Sequence, residues 1–158
     1  MDIALNKAQN SEIKTKLKTE LSECWLTSAK VARKAGQLNK AYNLLLEAKK
    51  FSNKEVFIEI AKLAWAREDK TGAISTLEKE IHDQFPQLGF GFDKKELEKC
   101  SQDDMKICGK AKLLLARYVD EAANSSPETV PDYYNEAKKF VNNSEDAFYH
   151  RYGRNSKL

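Results

Sequence analysis

Three cysteines and two histidines are the thiol and imidazole side chains of this chain, the types most often used as ligands of transition metals such as zinc. Cys24, Cys100 and Cys108 fit no CxxC spacing, and neither His82 nor His150 has another Cys or His at ligand spacing. The pattern therefore predicts reduced thiols and no metal site. Cys24 lies on an apolar helical stripe, so we expect it to be buried as a small hydrophobic residue.

Residues 88–93, LGFGFD, carry two glycines and two phenylalanines but do not form a GxGxxG motif. We expect a loop whose Phe90 and Phe92 fold back onto neighbouring helices; the alternative is a contact with another part of a larger protein. The sequence contains no glycine-rich phosphate loop, no catalytic Asp/Asn run and no visible catalytic carboxylate pair. It therefore predicts no catalytic residue, no cofactor and no small-molecule substrate.

The composition favours helices, because 158 residues include only 6 glycines and 3 prolines. The net charge of +3 is too small to indicate a nucleic-acid partner, and the few arginines follow no period. No apolar run approaches the roughly 18–20 residues that cross a bilayer, and the start of the sequence lacks the layout of a signal peptide. We expect a protein that is neither membrane-bound nor secreted.

Two helices joined by a short turn are predicted at residues 20–51. Apolar and small residues recur there at helical spacing on both sides of Gly36, which suits a left-handed helix end. Because the turn is short, the helices must be antiparallel, and small side chains let their backbones approach closely. The first stripe is Leu21, Cys24, Trp25, Ser28, Ala29, Ala32 and Ala35; the second is Leu38, Ala41, Leu45 and Ala48.

The same pattern returns 32 residues later. Ala29 then falls on Ala61 and Leu45 on Leu77, while Gly36 falls on Glu68. A period of 32 is close to that of tetratricopeptide (TPR) repeats, so the sequence predicts an all-α fold, an α-solenoid of antiparallel helical hairpins. The residues expected in its core are Trp25, Ala29, Ala32, Leu45, Phe57, Ala61, Trp65, Leu77 and Leu115.

The predicted organisation has a leading helix at residues 1–19 and a helical-repeat segment at 20–152. Within that segment, hairpins are expected at 20–51, 53–82 and 105–142, and a half-repeat at 144–152. An inserted loop at 83–104 contains one short helix around Lys94–Lys99, and residues 153–158 form a tail. A half-repeat is unusual at the end of a solenoid, which indicates a segment of a longer protein.

The block ECWLTSAKVARKAGQLNKAYNLLLEA, residues 23–48, resembles the FAT region of the phosphatidylinositol-3-kinase-related protein kinases. Weaker likenesses continue through Ala61-Lys62 with Trp65, Phe85-Pro86 and Ala116-Arg117-Tyr118, so that the resemblance covers residues 20–152. Glu68-Asp69 departs from it, since the family tends to have Gly-Asp there.

This resemblance implies a non-catalytic scaffold segment of a serine/threonine kinase in DNA-damage checkpoint signalling, located in the nucleus, or otherwise in the cytosol. Its expected partners are proteins: the kinase domain and other helical repeats of the same chain, and an accessory subunit. The kinase family prefers Ser-Gln sites, so Ser101, followed by Gln102, is a candidate phosphorylation site. The alternative is a stand-alone TPR-like interaction adaptor, although Leu26 and Lys30 stand where a peptide-carboxylate clamp needs Lys and Asn.

Overall fold

The structure of the chain is a computed structural model that describes residues 2–122 and 128–140. The described residues form α-helices and two short 3-10 helices and contain no strand, so the predicted all-α, α-solenoid fold class is confirmed. The helices are α1 (Asp2–Lys34), α2 (Leu38–Lys49), α3 (Val56–Ala66), α4 (Lys70–Gln84), α5 (Gln102–Glu121) and α6 (Val130–Lys138), and the 3-10 helices are Pro86–Leu88 and Lys94–Lys99.

The chain divides into two compact units, residues 1–73 and 74–158, with the division inside α4. In the first unit, α1 packs against α2 and α3. Helix α1 has 33 residues and continues through the boundary predicted at residue 20, so the leading helix and the first helix of the hairpin are one element. At 1.5 Å per residue it is about 50 Å long.

Alanines bring the helices of the first unit close together. Ala29 and Ala32 of α1 and Ala41 and Ala48 of α2 belong to one buried cluster, and each is at most 4% exposed. Because a methyl group is the whole side chain, two helices can approach closely wherever alanines face each other. The other buried members of the cluster are Leu26, Leu45, Val56 and Leu63.

A glycine turn joins α1 to α2, as predicted from Gly36. Gly36 has a left-handed φ of 80°, and the N–H of Gln37 donates to the carbonyl of Ala32 at 2.9 Å. This bond satisfies a carbonyl that the helix end would otherwise leave without a partner. The turn reverses the chain, so that α2 returns along α1.

In the second unit, α5 packs against α6. Ser101 caps α5: its Oγ accepts a hydrogen bond from the N–H of Asp104 at 3.1 Å, and Asp103 and Asp104 place negative charge at the positive end of the helix. The segment predicted as the loop 83–104 contains both 3-10 helices, including the predicted one at Lys94–Lys99. The predicted half-repeat at 144–152 and the tail at 153–158 lie outside the described residues.

Seven of the nine residues expected in the core are buried: Ala29, Ala32, Leu45, Phe57, Ala61, Leu77 and Leu115. Trp25 and Trp65, by contrast, are only half-buried. Cys24, which we expected to be buried, is exposed. The buried face of α1 passes through Ser22 and Leu26 instead, and Leu21 is 48% exposed.

Candidate protein-contact surfaces

The second unit contains a cluster of three charged side chains, two of them buried, which the sequence did not predict. Lys112 on α5 lies 3.0 Å from Oε2 of Glu136 on α6, and Lys139 lies 2.9 Å from Oε1 of the same carboxylate. The side chains of Lys112 and Glu136 are only 5% and 8% exposed. A buried charge needs a partner, so this pair connects the two helices.

Burial affects the two members of this pair differently. Burial raises the pKa of Glu136, but hydrogen bonds from Lys139, Lys112 and the N–H of Gly91 outweigh it, and the pKa falls below its ordinary value. Burial lowers the pKa of Lys112, and Glu136 compensates for only part of that effect. Burial therefore disfavours the charged form of Lys112, whereas the charged form of Glu136 is stabilised by its hydrogen bonds.

The same cluster holds the segment between the two 3-10 helices. The N–H of Gly91 donates to Oε1 of Glu136 at 2.8 Å, and Nζ of Lys139 donates to the carbonyl of Phe92 at 2.9 Å. Phe92 is buried, and Nζ of Lys112 lies 4.4 Å from the centre of its ring, within range of a cation–π interaction. The backbone on the C-terminal side of Phe90 is thus fixed to α6.

Phe90 and Phe92 have opposite environments, although we expected both to fold back onto the helices. Phe92 does so, with its ring centre 5.2 Å from that of Phe140. Phe90 is 69% exposed, and its ring meets the edge of Tyr133 with centres 5.8 Å apart. An exposed aromatic side chain on a fixed segment is a feature typical of protein-binding surfaces.

A second exposed apolar surface lies on α1 in the first unit. Ile13, Leu17 and Leu21 are four residues apart, so they share one side of the helix, and they are 56%, 52% and 48% exposed. We call these three residues the α1 stripe. Lys14 and Lys18, also exposed, lie beside it along the helix.

A buried carboxylate in the first unit joins α1 to α3. Glu59 is 2% exposed and accepts a hydrogen bond from Nε of Arg33 at 3.2 Å and one from Nζ of Lys62 at 3.1 Å. With two cationic partners, this carboxylate has the environment of a structural ion pair rather than of a general base.

The remaining candidate residues lie apart from one another. Cys108 is buried, and burial raises the pKa of its thiol to about 12, which is unsuited to a nucleophile. His82 is exposed and lies 3.2 Å from Asp83, and His150 is outside the described residues. Among the described residues, no group of three or more His, Cys, Asp or Glu side chains could hold a metal ion, and no helix is long and apolar enough to span a bilayer.

A family model described as the FAT domain matches residues 3–153. The chain belongs to the FAT domain family. It is 33% identical over 121 residues to the serine/threonine-protein kinase ATR of Drosophila melanogaster, a match that covers 77% of this chain and 5% of that kinase. No solved structure matches the chain.

These matches confirm the resemblance to the FAT region of a phosphatidylinositol-3-kinase-related kinase, most like ATR. The FAT domain is a non-catalytic region of those kinases, so this chain is a non-catalytic helical segment of that type. The chain spans only about 5% of the length of its kinase relative.

Proposed function

We propose that the chain is a scaffold segment of an ATR-like serine/threonine kinase that acts in DNA-damage checkpoint signalling. In this role it braces the kinase domain and mediates protein contacts. Its partners are the kinase domain and other helical repeats of the same longer chain, together with an accessory subunit such as an ATR-interacting protein. The site of action is the nucleus.

The α1 stripe is the observation that carries this proposal. Ile13, Leu17 and Leu21 each expose about half of a large apolar side chain on one side of α1. Covering such a side chain stabilises a complex by about 25 cal/mol for each Å² of apolar surface removed from water. A repeat protein stabilises itself by stacking each helical unit on a neighbour, so a further helical repeat suits this face.

The first test is the length of the native polypeptide, detected with an antibody raised against residues 20–50. We expect a band far above 18 kDa, because the matched region is a small part of the related kinase. A band at 18 kDa alone would contradict the scaffold role.

The second test places a charge on the α1 stripe within the long polypeptide. Leu17→Glu should reduce co-purification of the accessory subunit and phosphorylation of checkpoint substrates, because a carboxylate cannot be buried in an apolar contact without a partner. Thr19→Glu is the matched control, since Thr19 is exposed on the other side of the same helix. Equal co-purification and equal substrate phosphorylation in the two variants would argue against a contact at this surface.

A stand-alone TPR-like adaptor is the second candidate function. The observation that favours it is the repetition of turn geometry after 32 residues, because the N–H of Asp69 donates to Ala64 as that of Gln37 donates to Ala32. An adaptor predicts the 18 kDa band and the capture of a defined protein partner by the purified chain.

Ser101 is proposed as a phosphorylation site of this segment. It is exposed at the first turn of α5, where a kinase can reach its hydroxyl. Mass spectrometry of the polypeptide before and after DNA damage would detect the modification, and an unmodified Ser101 under both conditions would exclude it.

A further inference from the structure

Two cavities flank the aromatic pair Phe90 and Tyr133 in the second unit. The first has a volume of about 300 Å³ and is bounded by α4, α5, α6 and the segment that carries Phe90. The second has a volume of about 450 Å³ and extends towards the start of α6. Both are lined by Glu78, Phe90 and Tyr133. We call the two cavities and the residues between them the Phe90 groove.

The groove has an apolar floor, and the paired rings of Phe90 and Tyr133 form an aromatic ridge between its two cavities. Leu115 lines the first cavity and Val119 the second, and both are buried residues of α5. Volumes of this size are at the lower end of those found for ligand sites. They suit single side chains of a bound peptide better than a large cofactor.

The ridge is fixed in place before any partner binds. The N–H of Gly91 is bonded to Glu136, and the carbonyl of Phe92 is bonded to Lys139, so the chain after Phe90 is attached to α6 at two points. A partner that contacts Phe90 therefore does not have to order a free loop. Because less conformational entropy is lost on binding, the affinity is higher. Phe90 itself is 69% exposed, so a partner can reach its ring.

The charge of the groove indicates the chemistry of the partner. Three carboxylates line the two cavities, Glu78, Asp132 and Glu136, against one ammonium group, Lys112. Lys112 is paired with Glu136, so these two charges offset each other. The two remaining carboxylates, Glu78 and Asp132, make the electrostatic potential at the rim negative. Burial raises the pKa of Tyr133, and the negative charge of Glu78 raises it further.

We propose that the Phe90 groove binds a short basic segment of a partner protein, with one apolar side chain in the 300 Å³ cavity and a lysine or arginine beside Glu78 and Asp132. The cation would also lie within reach of the rings of Phe90 and Tyr133, whose faces attract positive charge. This inference goes beyond the scaffold role and depends on neither form of the proposed function, since the groove belongs to the second unit alone.

The test uses the full 158-residue chain and a phage library of random dodecapeptides, with Phe90→Ala as the counter-selecting variant. We expect the enriched peptides to carry an apolar residue near a lysine or arginine. The best peptide, labelled with fluorescein, should bind at least about tenfold more weakly to Phe90→Ala, because aromatic anchors dominate such interfaces. Raising the salt concentration from about 50 mM to about 500 mM should weaken binding to the native chain.

Two further variants separate the parts of the proposal. Glu78→Lys combined with Asp132→Lys should reduce affinity for the basic peptide and abolish its salt dependence. Tyr42→Ala removes an exposed aromatic side chain from the first unit and should leave affinity unchanged. Circular dichroism should show native helicity in all variants, since Phe90, Glu78 and Asp132 are exposed.

Two outcomes would overturn the proposal. In one, the enriched peptides lack basic residues; in the other, they bind Phe90→Ala as tightly as they bind the native chain.

Discussion

Glu68 occupies the place in the turn between α3 and α4 that Gly36 occupies between α1 and α2. The two residues are 32 positions apart, and their φ angles are 66° and 80°, both in the left-handed region. After Gly36 the N–H of Gln37 bonds to Ala32, and after Glu68 the N–H of Asp69 bonds to Ala64, each at 2.9 Å. The repeat therefore includes the backbone of the turn even where its glycine has been replaced.

Replacing Glu68 by glycine should stabilise the first unit. A residue with a Cβ in the left-handed region costs about 1–2 kcal/mol, and part of the gain from removing it is lost to the greater freedom of glycine in the unfolded chain. We expect Glu68→Gly to raise the free energy of unfolding by about 0.5–1 kcal/mol. Urea denaturation followed by tryptophan fluorescence measures this, because both tryptophans lie in the first unit.

Gly36→Ala is the reciprocal control. No atom lies within 4 Å of a Cβ built on Gly36, so the substitution causes no clash and changes only the cost of a φ of 80°. It should lower the free energy of unfolding by about 1 kcal/mol. If both variants moved stability in the same direction, the equivalence of the two turns would be wrong.

The buried face of α1 leads to a second prediction. Leu26→Ala should cost about 2–5 kcal/mol, because Leu26 is 4% exposed within the core of the first unit. Leu21→Ala should change the stability of the isolated chain by less than about 0.5 kcal/mol, because Leu21 is 48% exposed. The same urea titration compares them, and similar losses would favour the stripe predicted from the sequence.

The sequence predicted the helices well because their periodicity is local, but it placed the buried face of α1 only partly correctly: Ala29 and Ala32 are buried, whereas Leu21 and Cys24 are exposed. A 3.6-residue period fits apolar residues on more than one side of this helix: Leu21 and Cys24 on one side and Leu26 on another. Which side is buried depends on where α2 and α3 pack, and that information is not in the sequence of α1. The same ambiguity explains why the sequence did not predict the exposure of Cys24.

The charged cluster and the Phe90 groove could not be predicted from spacing alone. Gly91 and Glu136 are 45 residues apart, and only the tertiary fold brings them together. One signal was available: Lys112 falls between Cys108 and Leu115 on an apolar stripe. A lysine in that position requires a buried acidic partner, although the sequence does not say which of its many carboxylates provides it.

The third prediction concerns the cap of α5. Ser101→Ala removes the oxygen that accepts a hydrogen bond from the N–H of Asp104, and it should destabilise the second unit by about 1 kcal/mol. Ser101→Asp keeps an acceptor at this position and should restore most of the loss. Hydrogen exchange of the α5 amides would show the difference, and equal protection in both variants would mean that the cap contributes little.

The fourth prediction concerns the thiols. Cys24 is exposed and should react with Ellman's reagent in the native protein, whereas Cys108 should react only after unfolding. Burial raises the pKa of Cys108 from 9.0 to about 12, so above pH 9 the unfolded chain releases a proton that the folded chain retains. Stability should therefore fall as the pH rises from about 9 to 12. Cys108→Ala should flatten this part of the pH profile.

The fifth prediction tests the unequal roles of Glu136 and Lys112. Glu136→Gln leaves the buried ammonium group of Lys112 without its counter-charge and should cost about 3–5 kcal/mol. Lys112→Met should cost less, below about 2 kcal/mol, because Glu136 keeps its hydrogen bonds from Lys139 and Gly91. Equal losses would contradict this ranking. Hydrogen exchange of the α5 amides reports on both variants.

The same carboxylate sets an acid limit for the second unit. The pKa of Glu136 lies below its ordinary value of 4.5 in the folded chain, so the stabilisation is complete above pH 4.5 and is lost as the pH falls through the folded value. Protection of the α5 amides should therefore decline on acidification in the native chain. The decline should be shallower in Glu136→Gln, which has no proton to gain at this position. An identical decline in the two proteins would show that other carboxylates control the acid transition.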